Sequence, residues 1–296
     1  MAQPVTLIAP SEVNPPGDAG PFPFGMFGAR CLAQGDSWFS FGALPPTLTT
    51  SVLRELRLNT STVIVNCARP GAVLHHMTDT TTERRFLNLL TGPQSMQWDA
   101  ILLSGGGNDL IDAVGAGPQE PPQRRLLATP AERAASAVAV PAVYISEPGW
   151  AVFEDHLGAV FRHLVDQRDS GQNRHVPLLL HTYAPLMPRP AGAGAGFGPW
   201  LQPACDAFAV PLADRAALAG LLIDRLAALL QRLIDQRRQQ DPGCALQLVD
   251  TRAAGLVLGD PTAAGESGDF INEIHPTRQG YRKVAALWQA QLDQLF

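Results

Sequence analysis

Ala100-Ile-Leu-Leu-Ser104, followed at once by Gly105-Gly-Gly-Asn-Asp109, is a short apolar run that ends in a glycine turn. A run this short, apolar without alternation and bounded by a turn, reads as a strand covered on both faces. The same pattern recurs along the chain. Cys31 to Gly35 leads into Asp36-Ser37, and Ser61-Thr-Val-Ile-Val-Asn66 leads to Pro70-Gly71. Val176 to Leu180 and Ala245 to Val249 are two further runs. Helical patterns lie between them: Pro46 to Leu58 with proline at its start, Thr82 to Leu90, Trp150 to Gln167, Leu212 to Gln239 and Pro276 to Leu295. In the longest, Leu218, Leu221, Leu222, Leu226, Leu229 and Leu233 fall on one side. Strands alternating with helices predict a three-layer α/β/α fold around a parallel sheet of about five strands. Ligand sites of such sheets lie beyond the carboxyl ends of the strands. Ser37, Gly71 and Asn108 come almost directly off strand ends, and a loop precedes His275.

Residues 1–28 are rich in proline and glycine towards their end and read as an irregular arm. Residues 29–296 read as one domain with two insertions. The first, near 113–142, carries Pro118, Pro121, Pro122 and Pro130 among many alanines. The second, near 183–203, is Pro/Gly-rich and includes Ala191-Gly-Ala-Gly-Ala-Gly196. Long loops of this kind are usually functional or mobile, and the second leaves the end of the fourth expected strand.

Composition narrows the classes of function. The chain has 296 residues, 46% of them apolar and only 17% charged, enough to bury a sizeable core. Its net charge is −5 and it has no dense Lys/Arg block, which argues against a nucleic-acid partner. Arg232, Arg237 and Arg238 sit beside Asp235 on a helical stretch and read as a solvated face. Cys31, Cys67, Cys205 and Cys244 are far apart and form no CxxC pair, so structural zinc is not expected. No stretch is long and apolar enough to span a membrane, and the N-terminus has no export signal pattern, so a cytoplasmic location is expected.

Four short segments carry chemistry. A serine in Gly35-Asp36-Ser37 can present its hydroxyl where backbone N–H groups at a helix start are unpaired. Gly71 can bring a backbone N–H close to a ligand. The Asn108 amide can donate to charge developing on a substrate oxygen, an effect worth roughly 3 kcal/mol in comparable sites. His275, off a loop before a helix, can act as general base on a serine. Each segment alone also fits a turn or a cap. The ordered set supplies a nucleophile, two oxyanion donors and a base.

This set resembles the SGNH/GDSL-type hydrolases. Further stretches resemble a bacterial branch of that family: Gly35-Asp-Ser-Trp-Phe39, Ser104-Gly-Gly-Gly-Asn-Asp109, Gly198-Pro-Trp-Leu201 and Asn272-Glu-Ile-His-Pro-Thr277. The resemblance runs from about Arg30 to the end. It implies a flavodoxin-like sheet and ester hydrolysis through an acyl-serine with no cofactor. Ser37 would then be the nucleophile, with its own N–H, the Gly71 N–H and the Asn108 side chain as oxyanion donors, and His275 the base. One position departs from the pattern. Many members carry an aspartate three residues before the histidine, and here that residue is Asn272. Its carbonyl oxygen can accept from the imidazole N–H, as in Cys-His-Asn arrangements. Glu273, Asp269 or a backbone carbonyl are the alternatives.

Trp38, His181 and Tyr183 are expected at the substrate cleft. The remaining histidines (His75, His76, His156, His163 and His175) show no metal-ligand spacing with a matched carboxylate, so no metal is expected. The expected partner is a small-molecule or lipid ester. A thioesterase, a lysophospholipase or an acyl-transferring enzyme would use the same residues, and Asn272 also fits a binding protein that has lost efficient catalysis.

Overall fold

The computed structural model describes residues 2–16, 20–40, 50–79, 81–194 and 196–296. Its strands are β1 (Gln3–Pro4), β2 (Thr6–Ile8), β3 (Ala29–Gly35), β4 (Arg57–Leu58), β5 (Thr62–Asn66), β6 (Ala100–Ser104), β7 (Leu178–His181) and β8 (Leu246–Val249). Six of these form one sheet in the order β2-β5-β3-β6-β7-β8, and every pairing is parallel. The five strands expected from sequence thus lie in the order second, first, third, fourth, fifth, which is the flavodoxin-like arrangement. The sixth strand is a finding. Thr6–Ile8, within the stretch expected as an irregular arm, adds to the outer edge of β5, and Gln3–Pro4 pairs antiparallel with Arg57–Leu58. Three residues are too few to show a period, so only the open edge of β5 reveals them as a strand.

The α-helices are α1 (Val52–Glu55), α2 (Leu74–Met77), α3 (Arg84–Leu90), α4 (Gly107–Val114), α5 (Pro130–Ala134), α6 (Glu147–Asp169), α7 (Gln202–Ala207), α8 (Leu212–Gln240) and α9 (Arg278–Leu295). They flank the sheet in a three-layer α/β/α arrangement, α6 packing on α8 and α1 on α9. All five residues of β6 are buried, as a strand covered on both faces requires. In α8 the buried stripe includes Leu218, Leu222, Leu226, Leu229 and Leu233. The helix expected from Pro46 starts outside the described residues. Within them only Val52–Glu55 is helical, with Ser51 as cap. The helix expected from Pro276 begins at Arg278, because the Thr277 hydroxyl accepts from the Gly280 N–H and fixes the start there.

Strand order reverses at β3. The chain leaves β3 for β5 on one side and later joins β6 on the other, so a crevice opens above the carboxyl end of β3. Gly35, the last residue of β3, makes that end tight: a Cβ there would lie 2.6 Å from the Ser104 Cβ. Ser37 comes directly off this end.

Candidate active site

Ser37 sits in a hydrogen-bonded turn rather than at the start of a regular helix within the described residues. The Phe39 and Ser40 N–H groups donate to the Asp36 carbonyl, and the Asp36 carboxylate accepts from the Trp38 N–H at 2.9 Å. The Ser37 hydroxyl and the His275 Nε2 are 2.7 Å apart although 238 residues separate them. His275 Nδ1 lies 3.0 Å from the Asn272 Oδ1. That oxygen also accepts the backbone N–H of Ile274 at 3.2 Å and of His275 at 2.9 Å. Because a carbonyl oxygen only accepts, this contact places the ring proton on Nδ1 and leaves the Nε2 lone pair towards Ser37. Burial pushes the His275 pKa down to about 4, so the ring is neutral at pH 7.

The alternatives to Asn272 are engaged elsewhere. Asp269 accepts from Lys283 Nζ and from the Val257 N–H, both at 2.6 Å. Glu273 is fully buried and accepts from the backbone N–H groups of Arg189, Trp200, Leu201 and Gln202. Its carboxylate thereby clamps the Gly198-Pro-Trp-Leu201 loop beside the histidine, and the Trp200 ring packs edge-on to His275 with centroids 5.3 Å apart. Residue-by-residue reading missed this clamp. The available signal was that Gly198-Pro-Trp-Leu201 and Asn272-Glu-Ile-His-Pro-Thr277 stood out together.

Asn108 lies in the first turn of α4, where Gly106 takes the left-handed conformation with φ +98°. Its side-chain amide donates to the Ala72 carbonyl at 2.9 Å, which ties α4 to the turn containing Gly71. An amide carries two N–H groups, so this bond uses one of them. Gly71 is exposed with φ +74°, a conformation that favours glycine.

Beneath the serine runs a buried polar chain. The Trp288 Nε1–H donates to the His181 Nδ1 at 3.4 Å. His181 Nε2 and Ser104 Oγ are 2.8 Å apart, and Ser104 donates to Asp36 Oδ1 at 2.8 Å. The Tyr183 hydroxyl donates to the other Asp36 oxygen. Burial holds His181 neutral, with its pKa pushed down to about 3. The same cause raises the Asp36 pKa to about 6 against the pull of its three donors. Gly107 makes room for this arrangement, because a Cβ there would lie 2.5 Å from the Tyr183 ring.

An apolar cavity opens beside Ser37. Trp38 and Tyr183 line it with Asn108, Ile111, Leu201 and Ile223. His181 corrects the expectation that placed it at the cleft. It has no exposed surface and does not line this cavity, because Trp288 and Ser104 engage both ring nitrogens below the turn. The four cysteines are buried free thiols. No helix among the described residues is long and apolar enough to cross a membrane.

A doubly wound parallel sheet with a serine–histidine pair at its switch point belongs to the α/β class of proteins that bind ligands at that edge. The model of the GDSL-like lipase/acylhydrolase family matches residues 32–288, and the chain belongs to that family. Hydrolysis of small-molecule esters is therefore its general class of reaction. No curated protein matched in the comparison. Among solved structures, the chain is similar to an extracellular lipase from Streptomyces rimosus at 17% identity and TM-score 0.48, covering 90% of this chain and 100% of that one. It is also similar to a Clostridium thermocellum family 3 carbohydrate esterase (14% identity, TM-score 0.46, 90% and 96% covered). A third is phospholipase A1 from Streptomyces albidoflavus (14% identity, TM-score 0.46, 90% and 99% covered). At such values, family membership rests on the sequence match.

Proposed function

We propose that this chain hydrolyses carboxylic esters through an acyl-serine at Ser37. The observation that carries the reading is the 2.7 Å contact between Ser37 Oγ and His275 Nε2, with the opposite ring nitrogen on Asn272. His275 takes the hydroxyl proton as Ser37 Oγ attacks the ester carbonyl. The carbonyl oxygen becomes an oxyanion and receives hydrogen bonds from the Ser37 N–H, the Gly71 N–H and the second N–H of the Asn108 amide. As the tetrahedral intermediate collapses, His275 returns its proton to the departing alkoxide and the alcohol leaves. Water then attacks the acyl-serine, with His275 again taking and returning one proton, and the carboxylic acid is released. None of these steps calls for a cofactor. The Leu110, Ile111, Leu186, Leu201, Leu222 and Ile223 side chains around the cavity suit an apolar acyl group.

The test is hydrolysis of p-nitrophenyl esters, from acetyl to long acyl chains, by the wild type and Ser37→Ala, with fluorophosphonate labelling alongside. Hydrolysis and labelling that both vanish with Ser37 support the reading. Activity that survives in Ser37→Ala means another nucleophile. A folded wild type that neither hydrolyses nor labels is a binding protein on this scaffold. One that labels but transfers acyl groups to added alcohols or from thioesters belongs to the alternative acyl-transfer chemistries.

A further inference from the structure

Asp109 closes the Gly-Gly-Asn-Asp block, yet it does not line the cavity beside Ser37. Its carboxylate is buried and turned to another neighbourhood: Oδ2 accepts the Leu74 N–H at 2.9 Å. Leu74 opens α2, and the next residue is His75. His156 reaches the same place from α6, which packs on α2. Ligand-type atoms of His75, Asp109 and His156 all lie within 4.8 Å of one another. Sequence spacing could not reveal this set, because its members come from three separate helices.

We propose that His75, Asp109 and His156 form a binding site for a divalent transition-metal ion, zinc being the best fit. Two imidazole nitrogens and one carboxylate oxygen are the donor set that zinc takes readily, whereas calcium and magnesium favour oxygen ligands alone. A zinc ion sits about 2 Å from each ligand atom, which at a tetrahedral angle places two bound imidazole rings ~5 Å apart between centroids. The His75 and His156 centroids are 6.1 Å apart, so small rotations of two exposed rings close the site. Asp109 is fixed in advance: the Leu74 N–H donates to one carboxylate oxygen and orients the group, as hydrogen bonds to the ligands do in metal sites. Three protein ligands leave a position for water. The bound ion would fasten α2, α4 and α6 together on the side where Asn108 already holds the Ala72 carbonyl. Its consequence is rigidity of the corner that carries Asn108 and Gly71, and the proposal does not depend on which reaction Ser37 performs.

The experiment is calorimetric titration of chelator-treated protein with Zn²⁺, repeated with Co²⁺ while recording its visible d–d absorption. The expected result is one ion per chain. Binding should weaken about tenfold or more in His75→Ala and in His156→Ala, each with loss of the cobalt band, because removing a ligand undoes the site. His76→Ala, whose ring lies 4.0 Å from that of His75 between centroids, should bind as the wild type does. Absence of binding in folded wild type overturns the proposal. So does binding that persists in both His75→Ala and His156→Ala, or that disappears with His76→Ala alone, since the ion would then sit on the surface His75–His76 pair. Circular dichroism of each variant separates loss of ligand from loss of fold.

Discussion

Two buried carboxylates stand next to the two ends of the proposed dyad, and they do different work. Asp36 precedes Ser37, and Glu273 lies two residues before His275. Neither faces the imidazole. Asp36 gathers side chains from two other strand ends, with the hydroxyls of Ser104 and Tyr183 as its partners besides the Trp38 N–H. Glu273 gathers only backbone N–H groups and thereby folds a loop around itself. The hydroxyls around Asp36 can turn and accept, whereas an N–H can only donate. The serine side therefore tolerates a change of charge better than the histidine side. A buried acid beside a reactive residue is not automatically the third member of a triad; here both build the walls that hold the site.

The strongest way to break this picture is Ser37→Ala. Loss of the nucleophile should lower kcat by about a million-fold. If turnover persists, the Ser37–His275 contact is not the reacting pair and the comparison loses its premise.

Next comes the asymmetry between the carboxylates. Glu273→Gln turns an NH2 group towards fixed N–H donors and should cost about 3 kcal/mol in denaturant unfolding, since buried donors are left unpaired. Asp36→Asn should cost about 1 kcal/mol, because the Tyr183 hydroxyl can reverse and accept. Equal losses would show that the partners' chemistry does not set the difference.

The neutral contact at His275 gives a third test. Asn272→Ala removes the acceptor for Nδ1 and should reduce kcat/KM about 100-fold, whereas Asp269→Ala should leave the rate per folded molecule largely intact. Asn272→Asp keeps the acceptor and adds charge, so it should retain activity and raise the His275 pKa. An Asn272→Ala enzyme as active as the wild type would remove Asn272 from the site.

The smallest effect is in pH dependence. His275 accepts the serine proton only when neutral, so activity is present above its pKa and falls as pH drops through it. Burial places that pKa at about 4, against 6.5 for a free histidine. The acid limb of kcat/KM should therefore fall below pH 6.5, and in Asn272→Asp it should move back up. An acid limb at 6.5 or above in the wild type would mean that the ring is more open to water than its burial indicates.

Much of this was legible in the chain itself. Short apolar runs alternating with helical patterns determined five strands and their parallel sense, because a strand buried on both faces must be apolar throughout. The Gly-Asp-Ser, Gly-x-Asn-Asp and His-Pro-Thr segments determined which residues to look for at the strand ends, because they are local signals. Only the tertiary structure decided the rest. It made Thr6–Ile8 a strand by offering the edge of β5, and it put His181 under the turn instead of in the cleft. It turned Glu273 and Asp269 away from the histidine and left Asn272 against it. It also brought His75, Asp109 and His156 together from separate helices. These outcomes depend on which distant groups share a buried pocket, and a hydrogen bond or a metal ligand set is defined by distance in space, which sequence spacing does not carry beyond a single turn or strand.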